Sequence, residues 1–396
     1  MEKPKNRFKE MIINSLYYNK SHSISELSLL IGKSIPSTTK VLNELVQSQL
    51  IIEAGYAPST GGRRQARYII NTEINRYMLA VAMDQHYVSA VLYNLANIEI
   101  TPVIQRKNDP ENTFEHLVEV IKEVISHRPE AKDHILGIGI SMPGFVDNTL
   151  GINSSYEEGD SKLYNIEKEI EDIFEIPTYI ENDSTAIAIA EQKFGKARDV
   201  SHALIINISW GVGLGIIVDN KLFRGYSGYA GEFSHIPLSD SNLLCSCGKR
   251  GCLEVEASLA AALRYAEERL LQGEKSKLAE YLDNDQLEDS ASLIRAALNG
   301  DQLAISALSK SGYMLGKGIA TLIHIMNPEK IILSGQGAEA GQFLMPQIQS
   351  AINEFCIPRI SQKTSLEISE LGSTAQRVGS ACVVLEYSLS KLVNNN

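Results

Sequence analysis

Apolar residues recur at helical spacing in the first fifty positions and predict three short helices. The first contains the apolar set Phe8, Met11, Ile12 and Leu16 and ends near Tyr18. The second begins at a capping box from Ser23 to Glu26, and Gly32 follows its last turn. Its buried face is predicted to comprise Leu27, Leu30 and Ile31.

The third predicted helix runs from Ser34 to about Gln49 and carries Pro36 in its first turn, where a missing N–H is tolerated. Its buried stripe is predicted to comprise Val41, Leu42, Leu45 and Val46. The opposite face then presents small and polar side chains, namely Pro36, Ser37, Lys40, Asn43 and Glu44, with Thr39 on the flank. Two short helices joined by a glycine-containing turn are typical of a helix-turn-helix.

A hairpin is predicted directly after the third helix. Residues 50–53 form one strand, residues 55–65 a turn and residues 66–70 the returning strand. The tip, residues 59–64, reads Ser-Thr-Gly-Gly-Arg-Arg, and arginine suits phosphate or a narrow minor groove. We therefore predict a winged helix-turn-helix over residues 1–72, in preference to a helical interaction domain with a basic loop. The predicted DNA contacts are Ser37, Thr39, Lys40, Asn43, Arg63 and Arg64.

From residue 76 onwards, strand and helix patterns alternate, which predicts an α/β body. Strands are predicted at residues 77–84, 87–92, 135–140, 178–183, 203–209 and 211–218, and helices at 112–127 and 186–194. The alternating glycines at residues 211–215 either cradle a phosphate or allow tight packing of the strand.

Length and composition narrow the class of protein. The 396 residues exceed one ordinary domain, and 44% apolar with 21% charged residues is typical of a globular chain. No apolar run approaches the ~20 residues that cross a bilayer, and the start does not resemble an export signal. A cytoplasmic protein without membrane contact is therefore expected.

Charge is distributed unevenly along the chain. Residues 1–70 contain ten Lys or Arg against five Asp or Glu, whereas the remainder contains 27 against 43. A basic terminal segment on an acidic body favours phosphate contact by the first part alone. Each head offers few base contacts, so we expect a homodimer or homotetramer that places two heads on one double-stranded operator.

Three of the five cysteines fall within eight residues, and a histidine precedes them. The set His235, Cys245, Cys247 and Cys252 matches the four-coordinate demand of a structural zinc ion. The alternative is buried, unreactive cysteines with an incidental histidine. Cys356 and Cys382 lie in apolar surroundings and are predicted to be core residues.

Several motifs in order along nearly the whole chain resemble the ROK family of repressors, open reading frames and kinases. They are residues 59–64, Met142-Pro143-Gly144, Glu181-Asn182-Asp183, Gly211 to Gly215, Gly231 to His235, the cysteine cluster and residues 327–335. The resemblance is to the transcriptional-regulator branch of the family, which includes xylose and N-acetylglucosamine repressors. It implies an actin-like, hexokinase-type (ribonuclease H-like) fold with two α/β lobes and a cleft between them. The first implied lobe comprises residues 76–190, with helix 374–392 packed back on it. The second comprises residues 191–373 and carries the predicted zinc site of His235 and the three cysteines.

The same resemblance implies the ligand-binding residues. Asn182, Asp183, Glu232, His235 and Glu254 would contact a sugar or sugar phosphate, and Asp183 matches the catalytic base of the family's kinases. ROK kinases open the body with Asp-x-Gly-Gly-Thr, whereas Asp84 to Val88 here reads Asp-Gln-His-Tyr-Val. A tryptophan, Trp210, also stands where the kinases have a small residue.

These departures lead us to expect retained sugar binding without phosphoryl transfer, and hence no catalytic residues. The predicted function is a DNA-binding regulator, expected to be a repressor, of carbohydrate metabolism genes. The alternative is an active ATP-dependent sugar kinase with an appended DNA-binding head.

Overall fold

The computed structural model describes residues 4–56, 65–282 and 290–394. They form two compact units, each treated by itself below. The first unit comprises the described residues up to Met83, from Tyr87 to Glu181 and from Ser380 onwards. The second comprises Asp84 to His86 and Asn182 to Gly379. Within the described ranges, no helix combines the length and apolarity that a bilayer crossing requires.

The first unit opens with a small helical head and a three-stranded sheet in the order β1-β3-β2. Its elements are α1 (Pro4–Asn19), β1 (His22–Ser23), α2 (Ile24–Ile31), α3 (Ile35–Gln47), β2 (Ile51–Tyr56) and β3 (Ala66–Ile70). The capping box is confirmed, because the Ser23 Oγ accepts from the Glu26 N–H while the Glu26 carboxylate accepts from the Ser23 N–H. Gly32 closes α2 at φ 67°, in the left-handed region that glycine tolerates. The wing tip, with Arg63 and Arg64, lies outside the described residues.

Four details of the predicted head are wrong. Met11 and Leu30 are 39% and 59% exposed, because α1 and α2 bury narrower faces than their apolar content suggests. In α3 Thr38 is buried beside Val41, Leu42 and Leu45, whereas Val46, which the sequence assigns to the buried stripe, is only half-buried. Strand β2 also continues through Gly55 and Tyr56, which the sequence assigns to the turn.

The rest of the first unit is a five-stranded sheet with helices, in the order β10-β7-β4-β5-β6. Its elements are β4 (Tyr77–Met83), β5 (Tyr87–Asn94), β6 (Ile104–Lys107), α4 (Thr113–Ser126), β7 (Ile135–Met142), β8 (Val146–Asp147), β9 (Ile152–Asn153), α5 (Ile166–Phe174) and β10 (Thr178–Asn182). Strand β4 pairs antiparallel with β5 and parallel with β7. Apolar residues of the sheet, α4 and α5 form its core.

The second unit repeats this topology, with the sheet order β13-β12-β11-β14-β15. Its strands are β11 (Ala203–Ile208), β12 (Val212–Val218), β13 (Lys221–Leu222), β14 (Lys330–Ser334) and β15 (Ser365–Ile368). Its helices are α6 (Asp183–Phe194), α7 (Glu254–Ala257), α8 (Leu259–Leu271), α9 (Ala279–Leu282), α10 (Ser290–Leu298), α11 (Gln302–Met326), α12 (Gly341–Phe355) and α13 (Pro358–Ser361). In each sheet an antiparallel three-strand meander pairs through its first strand with a parallel strand, β7 beside β4 and β14 beside β11, so the predicted α/β body with two lobes is confirmed.

The last helix, α14 (Ala375–Asn394), begins in the second unit and continues in the first. Within the first unit it contacts the head, since the thiol of Cys382 hydrogen-bonds the Tyr18 hydroxyl. Tyr17 is buried beside it and donates from its hydroxyl to the Asn97 Oδ1 at 3.3 Å. Burial raises the pKa of both tyrosines well above the ordinary value. The head is therefore packed on the first lobe through the C-terminal helix.

Candidate functional site

The N-terminus of α6 carries the first two predicted ligand residues. The sequence places Asp183 at the end of a strand, but the strand ends at Asn182 and Asp183 is the first helical residue. The Asn182 Oδ1 caps the helix by accepting from the N–H groups of Ser184 and Thr185. This cap fixes the direction in which α6 leaves the sheet, and with it the position of Asp183.

Asp183 is held from both sides. Its Oδ1 accepts from the Ser184 N–H at 2.8 Å, and its Oδ2 accepts from the Asn207 amide at 3.2 Å. Burial raises the pKa of Asp183, and the charge of Asp84 raises it further, while the donors of Ser184 and Asn207 lower it. The carboxyl group is therefore positioned before any ligand arrives.

Sequence reasoning missed Asn207, although a signal was present. Asn207 is a single polar residue in the apolar strand β11, and it is buried. Besides the contact with Asp183, its side-chain amide donates to the Ser184 hydroxyl at 3.0 Å. A lone amide in an otherwise apolar strand indicates a buried hydrogen-bonding task.

Glu232 and Glu254 complete a cluster of carboxylates in the second unit. Burial raises the pKa of Glu232, and the charges of Asp183 and Glu254 raise it further while His235 lowers it. The Glu254 Oε2 lies 3.5 Å from the Val212 N–H, and its Oε1 lies 3.8 Å from the Cys245 sulfur. Four predicted ligand residues therefore act on one another electrostatically, and Asn182 adjoins them. Closely spaced carboxylates of this kind can accept hydrogen bonds from several hydroxyls.

His235 and the three cysteines converge as predicted. Their ligand atoms all lie within 4.8 Å of one another. The Cys245 sulfur is 3.4 Å from the His235 Nδ1, and the Cys247 and Cys252 sulfurs are 3.6 Å apart. A tetrahedral zinc ion with its usual bond lengths would separate neighbouring ligand atoms by roughly 3.5–3.8 Å. The four side chains therefore fit a metal ion.

The surroundings of the cluster also suit a metal. The His235 Nε2 faces the Glu232 carboxylate at 3.7 Å, an arrangement that orients a metal-binding imidazole. Burial and the neighbouring thiols raise the pKa of Cys252 to about 12, whereas the Lys249 backbone N–H lowers the pKa of Cys247. A metal ion would displace the remaining thiol protons.

The alternating glycines of β12 serve packing. A Cβ on Gly213 would stand 1.9 Å from the Ser184 Oγ, and one on Gly215 would stand 2.2 Å from the Ala188 Cβ. Both contacts are with α6, so these glycines let the helix approach the sheet. Of the two explanations that the sequence allows, close packing accounts for these two positions.

The altered motif, Asp84 to His86, belongs to the second unit and ends against an aromatic ring. The rings of His86 and Trp210 meet edge-on with centroids 4.3 Å apart. The Asp84 Oδ1 accepts from the His86 N–H at 2.6 Å, which closes a tight local turn. Two of the residues that depart from the kinase pattern, His86 and Trp210, thus contact each other.

On α3, three of the predicted DNA contacts are exposed, namely Ser37, Lys40 and Asn43. Thr39 is half-buried, and its hydroxyl donates to the Ile35 carbonyl at 2.8 Å. The Ser34 side chain caps the helix by accepting from the Ser37 N–H.

Comparison with known proteins gives a consistent result. The family model described as "ROK family" matches residues 78–387. The xylose repressor of Bacillus spizizenii is 29% identical over 386 residues, which cover 96% of this chain and 95% of the repressor.

Two solved structures extend the comparison. A ROK family transcriptional regulator, a homologue of the E. coli MLC protein, is 27% identical with a TM-score of 0.75 over 97% of this chain and 98% of its own. A ROK glucokinase from Streptomyces griseus, in complex with glucose and AMPPNP, is 26% identical with a TM-score of 0.67 over 77% of this chain and 98% of its own. The regulator therefore matches both the head and the body of this chain, whereas the kinase matches a smaller share of it.

Proposed function

Because the chain belongs to the ROK family, we propose that it is a sugar-responsive transcriptional repressor of carbohydrate metabolism genes. The observation that carries this proposal is the similarity to the xylose repressor over 96% of the chain, because it includes the head as well as the body. We assign residues 1–72 to the head, residues 76–190 with helix 374–392 to the first lobe and residues 191–373 to the second. A repressor of this kind works on operator DNA in the cytoplasm.

The head binds double-stranded DNA through α3 and the wing. Ser37, Lys40 and Asn43 offer exposed polar groups to the major groove, with Thr39 on the flank. Arg63 and Arg64 of the wing contact phosphate or the minor groove. Two heads of a homodimer or homotetramer bind one operator.

The effector is a sugar or sugar phosphate bound at the carboxylate cluster. Asn182, Asp183, Glu232, His235 and Glu254 provide acceptors and donors for its hydroxyls. The mutual effects of these groups on their pKa values support a common site. The effector controls DNA binding through its different affinities for states that place the two heads differently.

Zinc is the metal best suited to the cluster, with His235, Cys245, Cys247 and Cys252 as ligands. Three thiolates and an imidazole leave no open position, so the ion serves structure. It would tie the cysteine loop, residues 245–252, to the segment that carries Glu232 and His235. The ion would thereby support two of the proposed sugar contacts.

We propose that the chain is not an enzyme. The contact of His86 with Trp210 supports this, because bulky rings replace the glycine turn of the kinase motif. Asp183, which matches the kinases' catalytic base, then only binds the ligand. A coupled ADP-release assay with hexoses, N-acetylhexosamines and xylose tests this, and sustained turnover would contradict it.

The wing provides a direct test of DNA binding. The double variant Arg63→Ala, Arg64→Ala should weaken binding to all DNA sequences and reduce the slope of log affinity against log salt by roughly 1–2, since each lost phosphate contact removes about one released counterion. Operators are first selected from random DNA with the full-length protein, and affinity is then measured by fluorescence anisotropy at several salt concentrations.

Arg359→Ala, which removes an exposed arginine of the second unit, is the control and should leave the slope unchanged. An unaltered slope in the double variant would exclude the wing from the DNA interface. Failure to select any DNA sequence would overturn the proposed function itself.

A further inference from the structure

Of the five cysteines, all of which lie in the described ranges, Cys247 is the exposed one. Cys245 and Cys252 are 3% and 0% exposed, and Cys356 and Cys382 are also buried. A reagent in solution therefore meets the sulfur of Cys247 first. Because the reactivity of a cysteine depends on access as well as on ionisation, Cys247 differs from the other four.

The chain beside Cys247 is open and carries no negative charge. Gly248 has φ 83°, and a Cβ built on it would meet no heavy atom within 4 Å outside its chain neighbours. The cysteine loop contains Lys249 and Arg250 but no Asp or Glu. A small reagent, neutral or anionic, can therefore approach this part of the loop without steric hindrance or repulsion from the loop's own side chains.

Cys252 offers a second sulfur within reach of the first. Its Sγ is 3.6 Å from the Cys247 Sγ, and two of the four residues between them are glycines, Gly248 and Gly251. A disulfide has a sulfur–sulfur bond of about 2.05 Å, so closure requires the two atoms to approach by roughly 1.5 Å. Because Cys247 is exposed, its side chain can make this movement without disturbing the core.

Cys245 is less suited to pair with Cys247. Its buried sulfur lies 3.4 Å from the His235 Nδ1 and 3.8 Å from the Glu254 Oε1, so it is enclosed by other side chains. Only one residue separates Cys245 from Cys247, and so short a loop strains a disulfide. The geometry therefore favours Cys252 as the partner.

We propose that Cys247 is a site of oxidation by hydrogen peroxide, and that it then forms a disulfide with Cys252. The inference rests on the proposed zinc site, which holds both residues as thiolates. The Cys247 thiolate attacks one peroxide oxygen, the O–O bond breaks, and a sulfenic acid and a hydroxide ion form. The Cys252 thiolate then attacks the sulfur of the sulfenic acid and displaces a second hydroxide ion. Two thiolates are thus oxidised to one disulfide, while the peroxide is reduced to two hydroxide ions.

This disulfide would leave His235 and Cys245 as the remaining metal ligands. Two ligands do not meet the four-coordinate demand of a structural zinc ion, so the oxidised chain cannot retain it. The change also reaches the segment of His235, since its backbone carbonyl lies 3.5 Å from the Cys252 sulfur and accepts from the Lys249 Nζ at 2.9 Å. Oxidation of the cysteine loop would therefore disturb a proposed sugar contact as well as the metal site.

Metal release and disulfide mapping of the full-length, zinc-loaded protein test the inference. The zinc content is measured first, and hydrogen peroxide is then added in the presence of a chromogenic zinc chelator. We expect release of about one zinc ion per chain, with formation of one intramolecular disulfide. Alkylation of the remaining thiols, proteolysis and peptide mass spectrometry should locate this disulfide between Cys247 and Cys252. A thiol reductant with added zinc should restore the metal content.

Two variants assign the reaction to the exposed thiol. Cys247→His keeps a fourth metal ligand, as in structural sites with two cysteines and two histidines, but cannot form the disulfide. It should bind zinc and release it under peroxide roughly tenfold more slowly than the parent, or slower still. Cys356→Ser changes a buried cysteine outside the cluster and should release zinc at the parent rate. If Cys247→His binds no zinc, the disulfide mapped in the parent protein decides.

The outcomes separate this inference from the proposals on which it rests. Retention of zinc by the parent protein in excess peroxide overturns it, as does a disulfide that contains Cys245 instead of Cys252. Protein that contains no zinc before oxidation contradicts the proposed metal site, and the inference with it, but leaves the proposed repressor function intact.

Discussion

Glu191 and Glu167 are both enclosed carboxylates, but their surroundings differ. Glu191 is fully buried and accepts hydrogen bonds from the hydroxyls of Ser334 and Ser369 and from the Lys196 N–H. Glu167 is half-buried and lies near the charge of Glu171, and burial with that charge raises its pKa to about 7. Glu191 therefore joins α6 to β14 and the end of β15, whereas the surroundings of Glu167 disfavour its ionised form.

The raised pKa of Glu167 predicts a pH effect on stability. The ordinary pKa of a glutamate is 4.5, so the contribution of protonated Glu167 to the free energy of unfolding is fully present below pH 4.5. This contribution is lost as the pH rises through about 7. Glu167→Gln cannot ionise and should raise the free energy of unfolding at pH 8 by about 1–2 kcal/mol, allowing for solvent screening of a half-buried group. At pH 4 the variant should match the parent protein.

Denaturant titration of both proteins from pH 4 to pH 8 measures this difference. Glu169→Gln changes a carboxylate on the same helix, α5, and should produce a smaller and less pH-dependent effect. A difference between Glu167→Gln and the parent that does not change with pH would contradict the assignment.

The cysteine cluster predicts the effect of losing one ligand. Cys252→Ser removes a thiolate and should reduce bound zinc from about one ion per chain to a small fraction, since a structural site needs all four ligands. The melting temperature should fall by roughly 5 °C or more, because metal binding contributes to folding.

Metal analysis by mass spectrometry and thermal melts provide the readouts. Cys356→Ser changes a buried cysteine outside the cluster and should keep its zinc. Full zinc content in Cys252→Ser would show that the cluster does not hold the ion through this residue.

At the scale of elements, the approach of α6 to β12 positions the ligand site. The helix begins at Asp183, and the missing side chains of Gly213 and Gly215 allow it to lie against the strand. Any residue that separates the two elements would displace Asp183 from Asn207 on β11. The glycines thus affect the ligand without touching it.

Gly215→Ala tests this packing. Its Cβ would stand 2.2 Å from the Ala188 Cβ, and overpacking of this kind costs about 1–3 kcal/mol. Ala188→Gly removes the opposing methyl group at a cost of about 1 kcal/mol, since glycine weakens a helix. The double variant should therefore be more stable than the sum of the two single changes predicts.

The free energies of unfolding of the parent, the two single variants and the double variant are compared in a double-mutant cycle. Sugar affinity should be weakest in Gly215→Ala and should recover in part in the double variant. Additive effects would mean that the two positions do not meet.

The elements differ in how far the sequence predicts them. The capping box, Gly32 and the His-Cys cluster were predictable, because each depends on residues close in the sequence. The exposure of Met11 and Leu30, the pairing of Asn207 with Asp183 and the contact of His86 with Trp210 were not predictable. These features depend on which distant segment packs against a residue, and periodicity carries no such information.

At the scale of the whole molecule, the first helix, α1, contacts the last helix, α14. Tyr17 and Tyr18 of α1 are enclosed beside Cys382 of α14, and Tyr17 also bonds Asn97 in the turn after β5. All of these residues belong to the first unit. The head is therefore anchored on the first lobe by side chains from the middle and the end of the chain.

Asn97→Gly tests this anchor. Asn97 has φ 58°, which glycine adopts without strain, so the change removes only the acceptor for the Tyr17 hydroxyl. Loss of that partner costs about 1–2 kcal/mol locally. Hydrogen exchange of α1 should accelerate by roughly tenfold, since local opening becomes easier.

Peptides from α11, in the second unit, serve as the internal control and should exchange at the parent rate. Unchanged exchange in α1 would show that the Tyr17 bond does not limit opening of the head. Tyr17→Phe should reproduce the acceleration, because it removes the donor of the same bond.

The meeting of α1 with α14 has a consequence for synthesis on the ribosome. Chains emerge from their first residue, so the helices of the head can form long before Cys382 is translated. Until then, Tyr17 and Tyr18 lack the helix that covers them in the finished protein. Nascent heads therefore expose two aromatic rings, and a chain truncated before its last helix keeps them exposed permanently.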